Sequence, residues 1–251
     1  MPTKIAEKII LFLLRASGGL IEGNKNAYGM KYWIKRVATY PAHLRHRLGF
    51  GVQSPWAFYL VRFVLREKWP FYAFDELKTL RRQLPKNAST FSQKHDERLF
   101  RLANWLKPDK VFVVGEACPA LCAIYLGAYT KHVEVTCLCE HITTTEEGAL
   151  GSRGVNCLCG DVMTLLQSQC PDNGFGCLLI ALKDKAWQLY DYAANHTNDN
   201  SMFVVEYLDT QQGKMLWKRI LDDSRAKVTF NLGRTGLVFF DHKRTKMNYD
   251  L

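Results

Sequence analysis

Three short segments carry the residue types from which a nucleotide site can be assembled. The first, Gly115-Glu-Ala-Cys-Pro-Ala120, closes the apolar run Val111-Phe-Val-Val114. A glycine there permits a tight turn and lets the backbone approach a ligand closely. The second, Cys139-Glu140-His141, ends another apolar run. An acid roughly 20 residues beyond a glycine turn can hold ribose hydroxyls, and Glu140 lies 25 residues after Gly115. The third is Gly160-Asp161, at the end of a third run and at the place expected for a base ring. Asp161 also suits the cap of the helix that follows it. Gly115, Glu116, Ala117, Glu140, His141, Gly160 and Asp161 are therefore the candidate cofactor residues. No Ser-His-Asp or Cys-His set with the spacing for covalent catalysis is present.

Eight cysteines, Cys118, Cys122, Cys137, Cys139, Cys157, Cys159, Cys170 and Cys177, crowd the middle of the chain. Two pairs, Cys137-Leu-Cys139 and Cys157-Leu-Cys159, have C-x-C spacing inside strand-like text, where residues two apart share a face. Structural zinc sites more usually carry C-x2-C pairs on turns. Reduced thiols acting as small buried hydrophobes are the expectation, with no metal assigned.

The elements that must position these residues begin at residue 110. Strands over 110–115, 133–139, 155–158, 177–182 and 202–205 alternate with helices over 121–129, 143–150, 162–168, 185–194 and 210–221. Two strands, 227–232 and 237–240, joined by Gly233-Arg-Thr-Gly236, read as a closing hairpin. Such alternation implies a mainly parallel α/β sheet covered on both faces, with one antiparallel strand from the hairpin. Ligands then bind at the carboxyl ends of the strands. Before residue 110 the text is helical. An amphipathic segment over 4–15 stops at Gly18-Gly19, and a second helix covers 30–47. A turn-rich stretch leads to Ser54-Pro55, a cap and first helical residue for a helix over 56–68, where Trp56, Tyr59 and Phe63 are expected in the core. Helices over 74–84 and 96–106 flank a polar linker at 85–92.

The chain has 251 residues, is 47% hydrophobic and carries a net charge of +10. That composition supports a packed core and excludes wholesale disorder. Residues 1–100 hold 18 basic and 7 acidic side chains, against 16 and 17 in the remainder, so the excess is confined to the first part. A basic segment of this kind suits an anionic surface, and its helices suit a homodimer contact. The apolar run Ile9–Leu14 is too short for a transmembrane span, which needs roughly 20 residues. With no secretory pattern at the start, a cytoplasmic protein is expected.

The order of elements, with its closing hairpin, resembles the class I S-adenosylmethionine-dependent methyltransferases. A closer likeness is to an O-methyltransferase-like family of Bacteroidetes-type bacteria. It is carried by Gly49-Phe-Gly-Val-Gln-Ser-Pro-Trp56, Phe71-Tyr-Ala-Phe-Asp-Glu76, Arg98-Leu-Phe-Arg-Leu-Ala-Asn104, Met215-Leu-Trp-Lys218, Val228-Thr-Phe-Asn-Leu232 and Gly236-Leu-Val-Phe-Phe240. The resemblance implies a Rossmann-like domain over 93–251 behind a basic helical extension over 1–92, S-adenosylmethionine as cofactor, and methyl transfer to a small-molecule acceptor. Departures are equally visible. Val113 stands where the family has an acid, and Pro119 where a second glycine is expected. Gly176, Ala181 and Glu206-Tyr207 stand where metal-dependent relatives place acids, so no Mg²⁺ site is implied. His141, Asp184, Glu206 and Tyr207 are candidates for a base by position alone. The alternative is a degenerate relative that keeps the fold and serves as an interaction module through its basic segment.

Overall fold

The computed structural model describes residues 54–84 and 91–251. The helices expected over 4–15 and 30–47, the turn-rich text up to residue 53 and most of the 85–92 linker lie outside the described residues. Among the described residues, no helix is long and apolar enough to cross a membrane.

Strands β1 (Lys110–Ala117), β2 (Glu134–His141), β3 (Asn156–Cys159), β4 (Cys177–Ala181), β5 (Met202–Val205), β6 (Val228–Asn231), β7 (Gly236–Phe239) and β8 (Met247–Asp250) form one sheet in the order β3-β2-β1-β4-β5-β7-β6-β8. The first five in that order run parallel. Strand β7 is antiparallel to both β5 and β6. Because successive strand residues point to opposite faces, Val111 and Val113 enter one core while Phe112 and Val114 enter the other. Burial on both faces explains the unbroken apolar text of β1, β4 and β5. The architecture is the α/β, Rossmann-like sheet expected from the sequence.

One face is covered by α1 (Pro55–Tyr59, widening into a π-helical turn over Leu60–Leu65), α2 (Ala73–Gln83), α3 (Gln93–Leu106), α4 (Ala120–Gly127) and α5 (Thr144–Gly151). The other is covered by α6 (Val162–Ser168), α7 (Ala186–Ala194) and α8 (Gln211–Asp222).

The structure corrects the sequence reading at four places. In α1 only Trp56 of the three aromatics reaches the core, edge-on to Phe239 at 5.0 Å. Tyr59 and Phe63 are about half exposed, because the aliphatic stripe Ala57, Leu60, Val61, Val64 and Leu65 claims the buried face. That helix ends at Leu65 rather than residue 68, where the Glu67 carboxylate accepts the Lys68 and Trp69 N–H groups and holds a turn. Helix α3 starts at Gln93 because the Ser92 hydroxyl accepts from His95 N–H at 3.3 Å. Its neighbour Phe91, read as part of a polar linker, is buried. Finally, β8 lies beyond the hairpin that the sequence reading takes as the last element. It is held to β6 by a Thr229–Asn248 hydrogen bond of 2.9 Å and by Tyr249 stacked on Phe230 at 4.9 Å.

Candidate functional site

The strand order reverses direction between β1 and β4, and there the two chains leave the sheet to opposite sides. Backbone hydrogen bonds tie the neighbouring exits into one rim. Cys118 N–H donates to the His141 carbonyl at 3.0 Å, and Gly160 N–H to the Cys139 carbonyl at 2.9 Å. The Glu116 carboxylate accepts from the N–H groups of Lys183 and Asp184, both at 3.1 Å, and so bridges the β1 and β4 exits. Gly115 permits the tight path. A Cβ there would stand 2.7 Å from the Ala117 carbonyl oxygen and 3.0 Å from the Pro119 ring.

A cavity of about 130 Å³ opens at this switch point, walled by Glu116, Ala117, Pro119 and Cys122 on one side and by Ala181, Lys183 and Tyr207 on the other, with Phe91 and Asp96 above. Of the seven cofactor candidates, Glu116 and Ala117 line it and Gly115 lies directly behind. Glu140, His141, Gly160 and Asp161 sit outside it on the adjoining rim. Asp161 caps α6, accepting from Thr164 N–H at 2.8 Å and from its hydroxyl at 2.7 Å. A second hollow of about 380 Å³ lies between α7 and α8 and shares Lys183 with the first.

On the Asp96 side of the cavity runs a charged network that no sequence motif announced. The first turn of α3 brings His95 and Asp96 over the end of β5, where Glu206 follows the last strand residue. His95 Nε2 lies 2.7 Å from Glu206 Oε1 and its Nδ1 lies 3.1 Å from Asp96 Oδ1. Arg81 of α2 pairs with the other Asp96 oxygen, and the Thr235 hydroxyl donates to Glu206 Oε2 at 2.7 Å. Asp96 and Glu206 are 1% and 2% exposed, so both carboxylates depend on these partners. Burial alone would lower the imidazole's pKa. The hydrogen bonds and charges of Asp96 and Glu206 outweigh it and lift His95 to about 9. Both ring nitrogens are then donors. Both nitrogens are engaged by carboxylates, and His95, Asp96 and Cys122 each bring a ligand atom within 4.8 Å of the others. Burial, with Asp96 and Glu206 nearby, pushes the Cys122 thiol well above its ordinary pKa, so it is no nucleophile.

Tyr207 completes the wall in a left-handed conformation with φ of 62°. Its ring stands 5.6 Å from Phe91, with the Arg234 guanidinium 5.4 Å and the Lys183 ammonium 5.7 Å from its centre. Of the four candidate bases, Glu206 is therefore locked in the His95 pair and Tyr207 lines the cavity, while His141 and Asp184 are exposed on the rim. His95, Arg81 and Thr235 were missed because each joins the site from a distant segment. The one usable signal was Asp96, an acid three residues before Leu99 on the buried stripe of α3.

No protein-family model matches the sequence, and no curated protein matches it. Solved structures do share its fold. The SAH-bound methyltransferase PaMTH1 from Podospora anserina is similar over 89% of this chain and 99% of its own, with a TM-score of 0.53 and 11% identity. An O-methyltransferase from Bacillus cereus in complex with SAH is similar over 69% of this chain and 91% of its own, with a TM-score of 0.50 and 11% identity. Cofactor-bound Rv0187 from MTB is similar over 68% and 91%, with a TM-score of 0.53 and 13% identity. At such identities the likeness establishes the architecture alone.

Proposed function

We propose that the chain is a methyltransferase of this architecture, binding S-adenosylmethionine across the carboxyl ends of β1, β2, β3 and β4 and acting on a small-molecule acceptor. The observation that carries this reading is the coincidence of strand order and cavity. The sheet has the arrangement of the SAH-bound proteins above, and its hollow opens at the switch point where such a fold takes a ligand.

The residues suit the group in two parts. Pockets that enclose a whole small molecule run to roughly 300–1,000 Å³, so a cavity of about 130 Å³ takes one end only. Its lining of Asp96, Glu116 and Lys183 presents both signs of charge, which suits a zwitterionic amino-acid end. Pro119 has no N–H to offer, so the amino-acid carboxylate is left to Lys183 rather than to the loop backbone. For the nucleoside end, Glu140 would hold the ribose hydroxyls and Gly160-Asp161 would lie beside the base, all on the open rim. The cofactor supplies a methyl group already activated on a sulfonium. What the chain contributes is alignment and exclusion of water by the Phe91, Tyr207 and Pro119 walls. Glu206 and Asp96 hold the His95 ion pair and serve as positioning groups for the α3 end of the cavity.

Titration calorimetry with S-adenosylmethionine and S-adenosylhomocysteine tests the reading. One equivalent should bind, and Glu140→Ala should weaken binding at least ~10-fold, the loss of one charged hydrogen bond. An absence of heat and of thermal shift at large excess would overturn it and leave the degenerate alternative.

A further inference from the structure

We propose that Cys118, Cys137 and Cys157, with Cys139 beside them, form a binding site for a thiophilic closed-shell metal ion, Zn²⁺ above all. The basis is register. Strands β2 and β3 pair in parallel with Cys137 opposite Cys157 and Cys139 opposite Cys159. The C-x-C spacing on both strands therefore puts four thiols on one face in a two-by-two array. The turn after β1 then folds back over that array and adds Cys118. The Cys118 and Cys137 sulfurs are 3.7 Å apart, and those of Cys139 and Cys157 are 3.9 Å apart. Ligand atoms of Cys118, Cys137 and Cys157 all lie within 4.8 Å of one another.

Two thiols in simple van der Waals contact would stand as close, but three thiols from separate segments converging within 4.8 Å of one another make the donor arrangement of a metal site. A tetrahedron of sulfurs around zinc, with bonds of about 2.3 Å, has sulfur–sulfur edges of about 3.8 Å. The Cys118–Cys137 pair stands at that edge, and Cys157 closes the set of three mutually close thiols, with Cys139 outside it. Cys118, Cys137 and Cys139 are buried, the latter two on β2, while half-buried Cys157 and exposed Cys159 leave a way in from solvent. Soft sulfur-only donor sets favour zinc or Cu(I) over magnesium or calcium. On binding, each coordinating thiol gives up its proton to solvent, so uptake strengthens as pH rises. The ion would clamp the exit of β1 to the β2–β3 pair and stiffen the turn that bears Glu116 and Ala117.

The test uses the full chain, purified with a thiol-free reductant and treated with a chelator. Equilibrium dialysis against Zn²⁺ should return one ion per chain. Co²⁺ should give the visible ligand-field bands of a tetrahedral site and an intense sulfur-to-cobalt charge-transfer band. Cys118→Ser and Cys137→Ser should each weaken binding at least 100-fold. Cys170→Ser, outside the cluster, should leave it unchanged, with circular dichroism confirming the fold of each variant. Failure of the unmodified chain to retain zinc against a micromolar chelator would overturn the proposal. Octahedral cobalt spectra, or binding that survives both substitutions in the cluster, would do the same. Because none of these readouts involves a nucleotide, the result is independent of cofactor binding.

Discussion

At the scale of single residues, the cavity is governed by a protonated imidazole held between two buried carboxylates. Asp96 and Glu206, at 1–2% exposure, both face it, and Asp96 also pairs with Arg81. A pKa lifted from 6.5 to about 9 means that the folded state binds the His95 proton more tightly than the unfolded chain. The stability it contributes is fully present below pH ~6.5 and is lost as pH rises through about 9. The amount is on the order of 3 kcal/mol. Urea unfolding between pH 6 and pH 10 should show this decline, and His95→Gln should flatten it while lowering stability at pH 6. An equal slope in the variant would mean that other groups carry the titration.

At the scale of elements, the exit of β5 and the start of α8 are wedged together at one glycine. A Cβ on Gly213 would come within 2.0 Å of the Tyr207 carbonyl oxygen and 2.8 Å of Leu208 Cα, both backbone atoms that cannot swing aside. Thr210 reinforces the joint, its hydroxyl donating to the Tyr207 carbonyl at 2.8 Å and accepting from Gly213 N–H at 3.0 Å. Alanine is the better helix former by about 1 kcal/mol. Gly213→Ala should nevertheless destabilise by about 2–3 kcal/mol, since overpacking of this kind shifts backbone. In α5, where nothing lies within 4 Å of a Cβ on Gly148, the same change should stabilise by up to ~1 kcal/mol. Chemical denaturation of both variants checks the pair, and Gly213→Ala at or above the parent's stability would refute the wedge.

At the scale of the molecule, the sheet ends in β8, a short strand laid along β6. Without it the β6 edge would offer unpaired N–H and C=O groups to another chain. Removing residues 247–251 strips the Tyr249 stack and the backbone bond from Leu251 N–H to Asn231. The melting temperature should fall by several degrees, at roughly 2–4 °C per kcal/mol for a chain of this size, and light scattering should detect concentration-dependent association. A monomer melting like the parent would show that the strand is dispensable.

Local text was enough to place the five successive parallel strands β1 to β5 and the closing hairpin, because a strand buried within the sheet is largely apolar and must be followed by a turn. The same logic placed Gly115, Glu140 and Gly160 on successive strand ends, and tying those ends into one rim needed only the parallel register. Strand β8 was illegible, since its alternate residues are exposed and its hydrogen bonds belong to a strand some twenty residues earlier. The His95–Glu206 pair joins positions 111 apart in the chain, a distance at which no pattern of spacing survives. The cysteines show the division most clearly. The C-x-C repeats were visible as shared faces, yet only the pairing of β2 with β3, and the return of Cys118 over them, bring three of the sulfurs within 4.8 Å of one another. Periodicity along a chain records which face a side chain takes, whereas folding in three dimensions determines what it meets there.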